Sequence, residues 1–187
     1  MAHSIIVVDV QRDFVDGSLG TEHGAEVARG ISRFLQEATD RGETDYIVGT
    51  LDWHIDPEGH FSDSPDFVQT WPVHCVVDTP GAQVYPELDA SLVHTWFKKG
   101  EYTSAYSGFE GHVDGGEELL EQWLRSRGVT EVTVVGIATD FCVKATVLDA
   151  LRAGFAATVI ERLCSPVTED SGARALEEMK TAGARIR

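Results

Sequence analysis

Three histidines and one carboxylate fall close together in a stretch of sequence without regular pattern: Asp52-Trp53-His54, then His60, then His74. Imidazole nitrogen combined with carboxylate oxygen is a donor set that suits Zn(II), Fe(II) or Mn(II). Asp52 and His54 stand two residues apart at the end of an apolar run, so on a strand both project to the same side, toward one ion. A second kind of chemistry is available at Cys142, in Gly136-Ile137-Ala138-Thr139-Asp140-Phe141-Cys142. There a β-branched run stops and a helical pattern begins, with Thr139 or Asp140 as its cap, which puts Cys142 in the first turn. Unpaired N–H groups and the helix dipole at such a turn favour a thiolate and can hold an oxyanion. The expectation is therefore a nucleophilic thiol of lowered pKa. Asp9 ends another buried run and is a candidate general acid or base. Lys98 and Lys99 end a third; alternation sends them to opposite faces, so one of the two can support the thiolate by charge.

These groups need elements to bring them together. Ile5 to Val10 is too short for a helix and too uniformly apolar for an exposed strand, and reads as a buried parallel strand. Ala25 to Thr39 carries Val27, Ile31, Phe34, Leu35 and Ala38 at helical spacing, with Arg41-Gly42 as a cationic last turn and stop. Further strands are expected at Tyr46 to Leu51, Val93 to Phe97, Val132 to Ile137 and Phe155 to Ile160. Helices are expected at Glu117 to Arg125, Asp140 to Arg152 and Asp170 to Thr181, and Ala184 to Arg187 is a stub of a last strand. Strands alternating with helices predict an α/β fold, a parallel sheet covered on both faces. Asp52 to Leu92 holds five of the six prolines and no sustained periodicity. A loop of that length, starting at a strand's C-terminal end, is where an open parallel sheet binds its ligand.

Composition narrows the field. The 187 residues carry 15 Lys and Arg against 31 Asp and Glu, a formal charge of −16. That balance argues against nucleic acid and anionic membrane surfaces as partners. With 42% hydrophobic and 25% charged residues, a single folded domain spanning 1–187 is expected. No run approaches the roughly 20 apolar residues of a membrane span, and Ile5-Ile6-Val7-Val8 is interrupted by Asp9, too early for a signal peptide. Three cysteines, Cys75, Cys142 and Cys164, form no Cys-x-x-Cys pair. They read as thiols in a reducing cytoplasm, and Cys75 and Cys164 as inert ones. Gly-x-Ser-x-Gly, P-loop, Gly-x-Gly-x-x-Gly and His-Glu-x-x-His motifs are absent.

Val7-Val8-Asp9-Val10-Gln11-Arg12-Asp13-Phe14, Asp52-Trp53-His54, Trp71-Pro72-Val73-His74-Cys75, Lys99-Gly100-Glu101-Tyr102-Thr103 and the segment from Gly136 to Cys142 together resemble the nicotinamidase/pyrazinamidase branch of the isochorismatase-like hydrolases. The resemblance implies a three-layer α/β/α sandwich with a mostly parallel central sheet. It implies hydrolysis of nicotinamide to nicotinate and ammonia, a step of NAD salvage, and of pyrazinamide. In its terms Cys142 is the nucleophile, passing through a thioester, Asp9 the proton-transferring acid and base, and Lys99 the third member of the triad. Asp52, His54, His60 and His74 would hold one divalent metal ion, Zn, Fe(II) or Mn(II), that binds the substrate's ring nitrogen. The N–H groups of Ala138 and Cys142 would form the oxyanion hole, with a cis peptide at Ile137-Ala138. Phe14, Trp71 and Tyr106 would wall the substrate pocket, with Ile137 beside them. Phe141 departs from the pattern, standing where close relatives can carry histidine. The resemblance favours a monomer over a homo-oligomer. Two other readings use the same residues: a metal-independent relative acting on another amide, and a non-catalytic metal-binding or thiol-redox protein.

Overall fold

The computed structural model describes residues 2–187. Seven strands form one sheet: β1 (Ala2–Val8), β2 (Tyr46–Asp52), β3 (Thr95–Lys99), β4 (His112–Val113), β5 (Val129–Ile137), β6 (Ala156–Ser165) and β7 (Arg185–Ile186). Their order across the sheet is β4-β3-β2-β1-β5-β6-β7, and every pairing is parallel except β3 with β4. The helices are a short α1 (Arg12–Val15), then α2 (Gly24–Arg41), α3 (Leu120–Ser126), α4 (Lys144–Arg152) and α5 (Glu169–Thr181).

Period-two alternation distributes the core to both faces of the sheet. Ile5 and Val7 of β1 pack with Val27, Ile31 and Leu35 of α2. Ile6 and Val8 face the other way, onto Leu120 and Leu124 of α3, Val147 of α4 and Met179 of α5. The result is the sheet covered on both faces that alternating strands and helices predict, and the three-layer α/β/α sandwich that the resemblance implies. Each fully buried Ile, Leu or Val contributes about 1.5–3 kcal/mol, so the two cores hold the strand ends firmly in register. α2 stops at Gly42, whose φ of 63° lets its N–H return to Ala38 O and Thr39 O.

Three local expectations need correction. The crossover between β3 and α3 contains a two-residue antiparallel strand, β4, too short to leave an alternating pattern. The helix expected at Asp140 to Arg152 is in fact a π-helical turn, Thr139–Val143, running into α4. Neither Thr139 nor Asp140 caps it: Thr139 Oγ1 is buried without a partner, and Asp140 accepts hydrogen bonds from Val167 N (3.0 Å) and Ser171 Oγ, which tie the turn to α5.

The order of strand addition reverses between the parallel neighbours β1 and β5: the chain builds β1-β2-β3 outward on one side, then returns to place β5 on the other. Crevices at such switch points, beyond the carboxyl ends of the strands, are where open α/β sheets bind ligands. Here the two strands approach closely, since a Cβ on Gly136 (φ 126°) would lie 2.1 Å from Val8 O.

Candidate active site

Four neighbouring strands deliver one buried cluster to that crevice. Asp9 follows β1 in a left-handed conformation (φ 47°) that turns it off the strand axis. Asp52 ends β2, Lys99 ends β3 directly opposite it in register, and Cys142 sits in the π-helical turn after β5. Lys99 Nζ lies 2.9 Å from Asp9 Oδ2, donates to Asp52 Oδ1 and to Ala105 O (3.2 Å), and lies 3.7 Å from Cys142 Sγ. Lys98 points to the opposite face, where it pairs with Asp114 at 2.7 Å and covers the Trp53 ring. Period-two alternation thus separates the two lysines, and the buried one is Lys99. Thr50 Oγ1 donates to Asp9 Oδ1 (2.6 Å). The Lys99 ammonium meets Asp9 Oδ2 off the hydrogen-bonding direction, so that oxygen keeps a lone pair without a bonded donor.

Burial opposes charge on all four groups, and their mutual interactions decide which stay charged. Burial would deprotonate Lys99, but Asp52, Asp9 and Cys142 outweigh it and raise its pKa well above the usual lysine range. Burial would protonate Asp52, yet Lys99, His54 and His74 hold it well below the carboxylate range. Asp9 moves up, because burial and the neighbouring Asp52 outweigh Lys99 and Thr50. Cys142 also moves up, well above the ordinary thiol range: burial leads, Lys99 opposes it, and Asp9 and Asp52 add to the rise. This overturns the expectation of a thiol with lowered pKa. Cys142 Sγ lies within 4.8 Å of a carboxylate oxygen of Asp9.

The histidines lie beyond Asp52. One ring nitrogen from each of His54, His60 and His74 falls within 4.8 Å of the others, and all three rings are buried. His54 Nδ1 donates to Gly100 O and His74 Nδ1 to Pro72 O (2.7 Å), which fixes both tautomers and leaves each Nε2 a lone pair. Those two Nε2 atoms face Asp52 Oδ2 at 3.5 and 3.8 Å. His54 Nε2 and His60 Nδ1 are buried without any hydrogen-bond partner. Burial and the neighbouring His74 and His54 push His60 down to about 4, so its imidazole is neutral at neutral pH. Buried imidazole nitrogens without hydrogen-bond partners, on His54 and His60, beside a carboxylate held ionised are the donor set of a divalent-metal centre. Asp52 is shared: Oδ1 takes the Lys99 ammonium and Oδ2 faces the histidines.

Both clusters open onto one cavity of about 220 Å³, whose lining includes Asp52, His60, His74, Ala138 and Cys142. It lies below the roughly 300–1,000 Å³ of sites for drug-sized ligands and suits a single small ring. Phe14, Trp71 and Tyr106 all line it. The Phe14 ring sits 5.4 Å from His74, and Trp71 Nε1 donates to Tyr106 Oη (3.0 Å). Ile137 does not join them: its side chain is fully buried in the core beneath α2, although its peptide bond to Ala138 is cis.

The isochorismatase domain matches this chain over residues 3–187. The chain belongs to that family. It is 51% identical to the nicotinamidase/pyrazinamidase of Mycobacterium tuberculosis over 98% of this chain and 97% of that one. Among solved structures it resembles the Pyrococcus horikoshii pyrazinamidase in complex with zinc (TM-score 0.82, 35% identity, covering 100% and 99% of the two chains). It also resembles an L. infantum protein in complex with nicotinate (TM-score 0.86, 30% identity, covering 100% and 92%).

Within this isochorismatase-family site, several residues carry no motif in the sequence. Thr50 was accessible to reasoning, since it lies two residues before Asp52 on the same strand and shares its face. Leu19, Phe67 and Val167 also line the cavity, but they come from three distant segments with no local signal. Phe141 packs edge to face on Trp71 (4.8 Å between centroids) and forms part of the aromatic wall.

Proposed function

We propose that this chain is a metal-dependent cysteine amidohydrolase that converts nicotinamide to nicotinate and ammonia, and also hydrolyses pyrazinamide. The observation that carries the reading is the shared Asp52, which joins the Asp9, Lys99 and Cys142 cluster to the histidines, with Asp52, His60, His74 and Cys142 lining one cavity. Asp52, His54, His60 and His74 would hold one divalent ion, Zn, Fe(II) or Mn(II). When bound, the ion supplies a Lewis-acidic position for the ring nitrogen of the substrate.

Chemistry then belongs to the other half of the cavity. Asp9 takes the Cys142 proton as sulfur attacks the carboxamide carbon, and the Lys99 ammonium offsets the negative charge developing on sulfur. The N–H groups of Ala138 and Cys142 receive the oxyanion. Asp9 returns the proton to the amide nitrogen, the C–N bond breaks, ammonia leaves and a thioester remains. Water, deprotonated by Asp9, attacks the thioester; nicotinate departs and the thiol regains its proton. The raised pKa values of Asp9 and Cys142 support this pairing, because a more basic carboxylate is the better acceptor for a less acidic thiol. Phe14, Trp71 and Tyr106 sandwich the flat ring.

One copy of the chain supplies every group named, which supports a monomer acting as one domain over 1–187. Need for a reduced Cys142 suits the cytoplasm. Among the described residues no helix is long and apolar enough to cross a membrane.

The test is ammonia release by the zinc-loaded protein from nicotinamide, with benzamide in parallel because it keeps the carboxamide and lacks the ring nitrogen. Turnover of nicotinamide with poor turnover of benzamide is expected. Equal turnover of both would remove the ring-nitrogen role, and inactivity on nicotinamide would remove the proposed substrate.

A further inference from the structure

Three of the four metal donors, His54, His60 and His74, come from an irregular segment that begins where Asp52 ends β2, so something outside that segment must hold them still. We infer that residues 11–18 are the positioning frame of the metal centre, with Gln11 gripping the backbone of Asp52 and Asp13 gripping the backbone next to His74, at Cys75. The inference rests on the metal-dependent reading above and extends it to side chains that touch neither metal nor substrate.

Gln11 is wholly buried, and its amide extends the sheet as a short extra strand would. Gln11 Oε1 accepts from Asp52 N (2.9 Å), and Gln11 Nε2 donates to Asp52 O (2.8 Å) and to Ala82 O (2.8 Å). Both backbone groups of Asp52 are therefore fixed, along with one point of the long loop. Two residues on, Asp13 Oδ2 accepts from Cys75 N (2.7 Å), and Ser18 Oγ donates to Val73 O (3.0 Å). His74 is bracketed on both sides by that pair, while the Phe14 ring packs on its imidazole. Cys75 needs such a hold, since its φ of 45° is one that residues with a Cβ rarely adopt. Gly81 makes room: a Cβ there would fall 2.1 Å from Asp13 Oδ2. Because this frame starts two residues after Asp9, one short segment sets the proton-transferring group and the metal donors relative to each other.

Groups that orient metal ligands without touching the ion typically change its affinity by about 10–100-fold. The experiment measures the zinc dissociation constant of the full chain by competition with a chromogenic chelator, for wild type, Asp13→Ala, Asp13→Asn and Gln11→Met. Asp13→Ala and Gln11→Met are expected to weaken zinc by about 10–100-fold, with excess zinc restoring turnover. Asp13→Asn, which keeps an oxygen for the Cys75 N–H, should bind zinc nearly as wild type does. A folded Asp13→Ala protein with wild-type zinc affinity would overturn the inference, as would Asp13→Asn binding as weakly as Asp13→Ala. The Asp13 pair decides the matter even where Gln11→Met fails to fold. Wild-type protein that binds no zinc would instead overturn the metal reading itself, and the inference with it.

Discussion

Asp9, Lys99 and Cys142 leave the ends of three strands of one sheet, whereas His60 and His74 come from a segment held mainly by isolated bridges and turns. The first set is fixed by the ladders between β3, β2, β1 and β5 and by cores on both faces. The second is fixed piecewise, by pairings such as His54 with Val76 and Phe61 with Trp71, and by side-chain grips on backbone. Covalent chemistry and substrate positioning are thus assigned to parts of the molecule with different mechanical backing. Atoms that must meet within a few tenths of an ångström sit on the rigid part.

That comparison breaks most sharply at Cys142. Cys142→Ala is expected to lower nicotinamide turnover by about 10⁴-fold or more, as removal of a covalent nucleophile does, while zinc measured by elemental analysis stays at the wild-type amount. Residual turnover near wild type would dismiss the nucleophile, and loss of zinc would show that the two halves are not separable. At the other end, His54→Ala removes one donor and leaves the sulfur chemistry in place. Zinc content should fall, KM for nicotinamide should rise by about 10–100-fold, and benzamide turnover should change much less. An unchanged zinc content would strike His54 from the donor set.

The same division explains what the sequence made legible. Asp9, Asp52 and Lys99 could be located from β-branched runs and two-residue alternation, because a regular strand fixes where each side chain points. The choice of Lys99 over Lys98 could not be made by alternation alone, which says that they differ and not which is inside. The donor histidines were visible as residue types in one irregular stretch, but the grips of Gln11, Asp13 and Ser18 on that stretch join residues 41 to 71 positions apart and leave no local pattern. The acidity of Cys142 was misjudged for a related reason. Position at a helix start favours the thiolate, but complete burial and two carboxylates delivered by β1 and β2 favour the thiol, and they dominate. Electrostatics of a buried cluster depends on every strand that meets there.

The smallest effect tests the contact between the two halves, at the aromatic wall. Tyr106 Oη accepts from Trp71 Nε1 (3.0 Å) and donates to Val68 O (3.4 Å), linking the far wall of the cavity to the irregular segment. Tyr106→Phe keeps the ring and deletes both bonds. An unsatisfied buried N–H costs about 1–3 kcal/mol, and Trp71 lies beside an open cavity where water can replace the lost acceptor, so the loss falls at the lower end. The expected outcome is a rise in KM for nicotinamide of about 5-fold, one kcal/mol being close to that factor, with kcat and zinc content unchanged. A fall in kcat with KM intact would mean that the wall shapes the attack on the carboxamide rather than the hold on the ring. The positioning role would then extend from the metal side of the cavity into its chemistry.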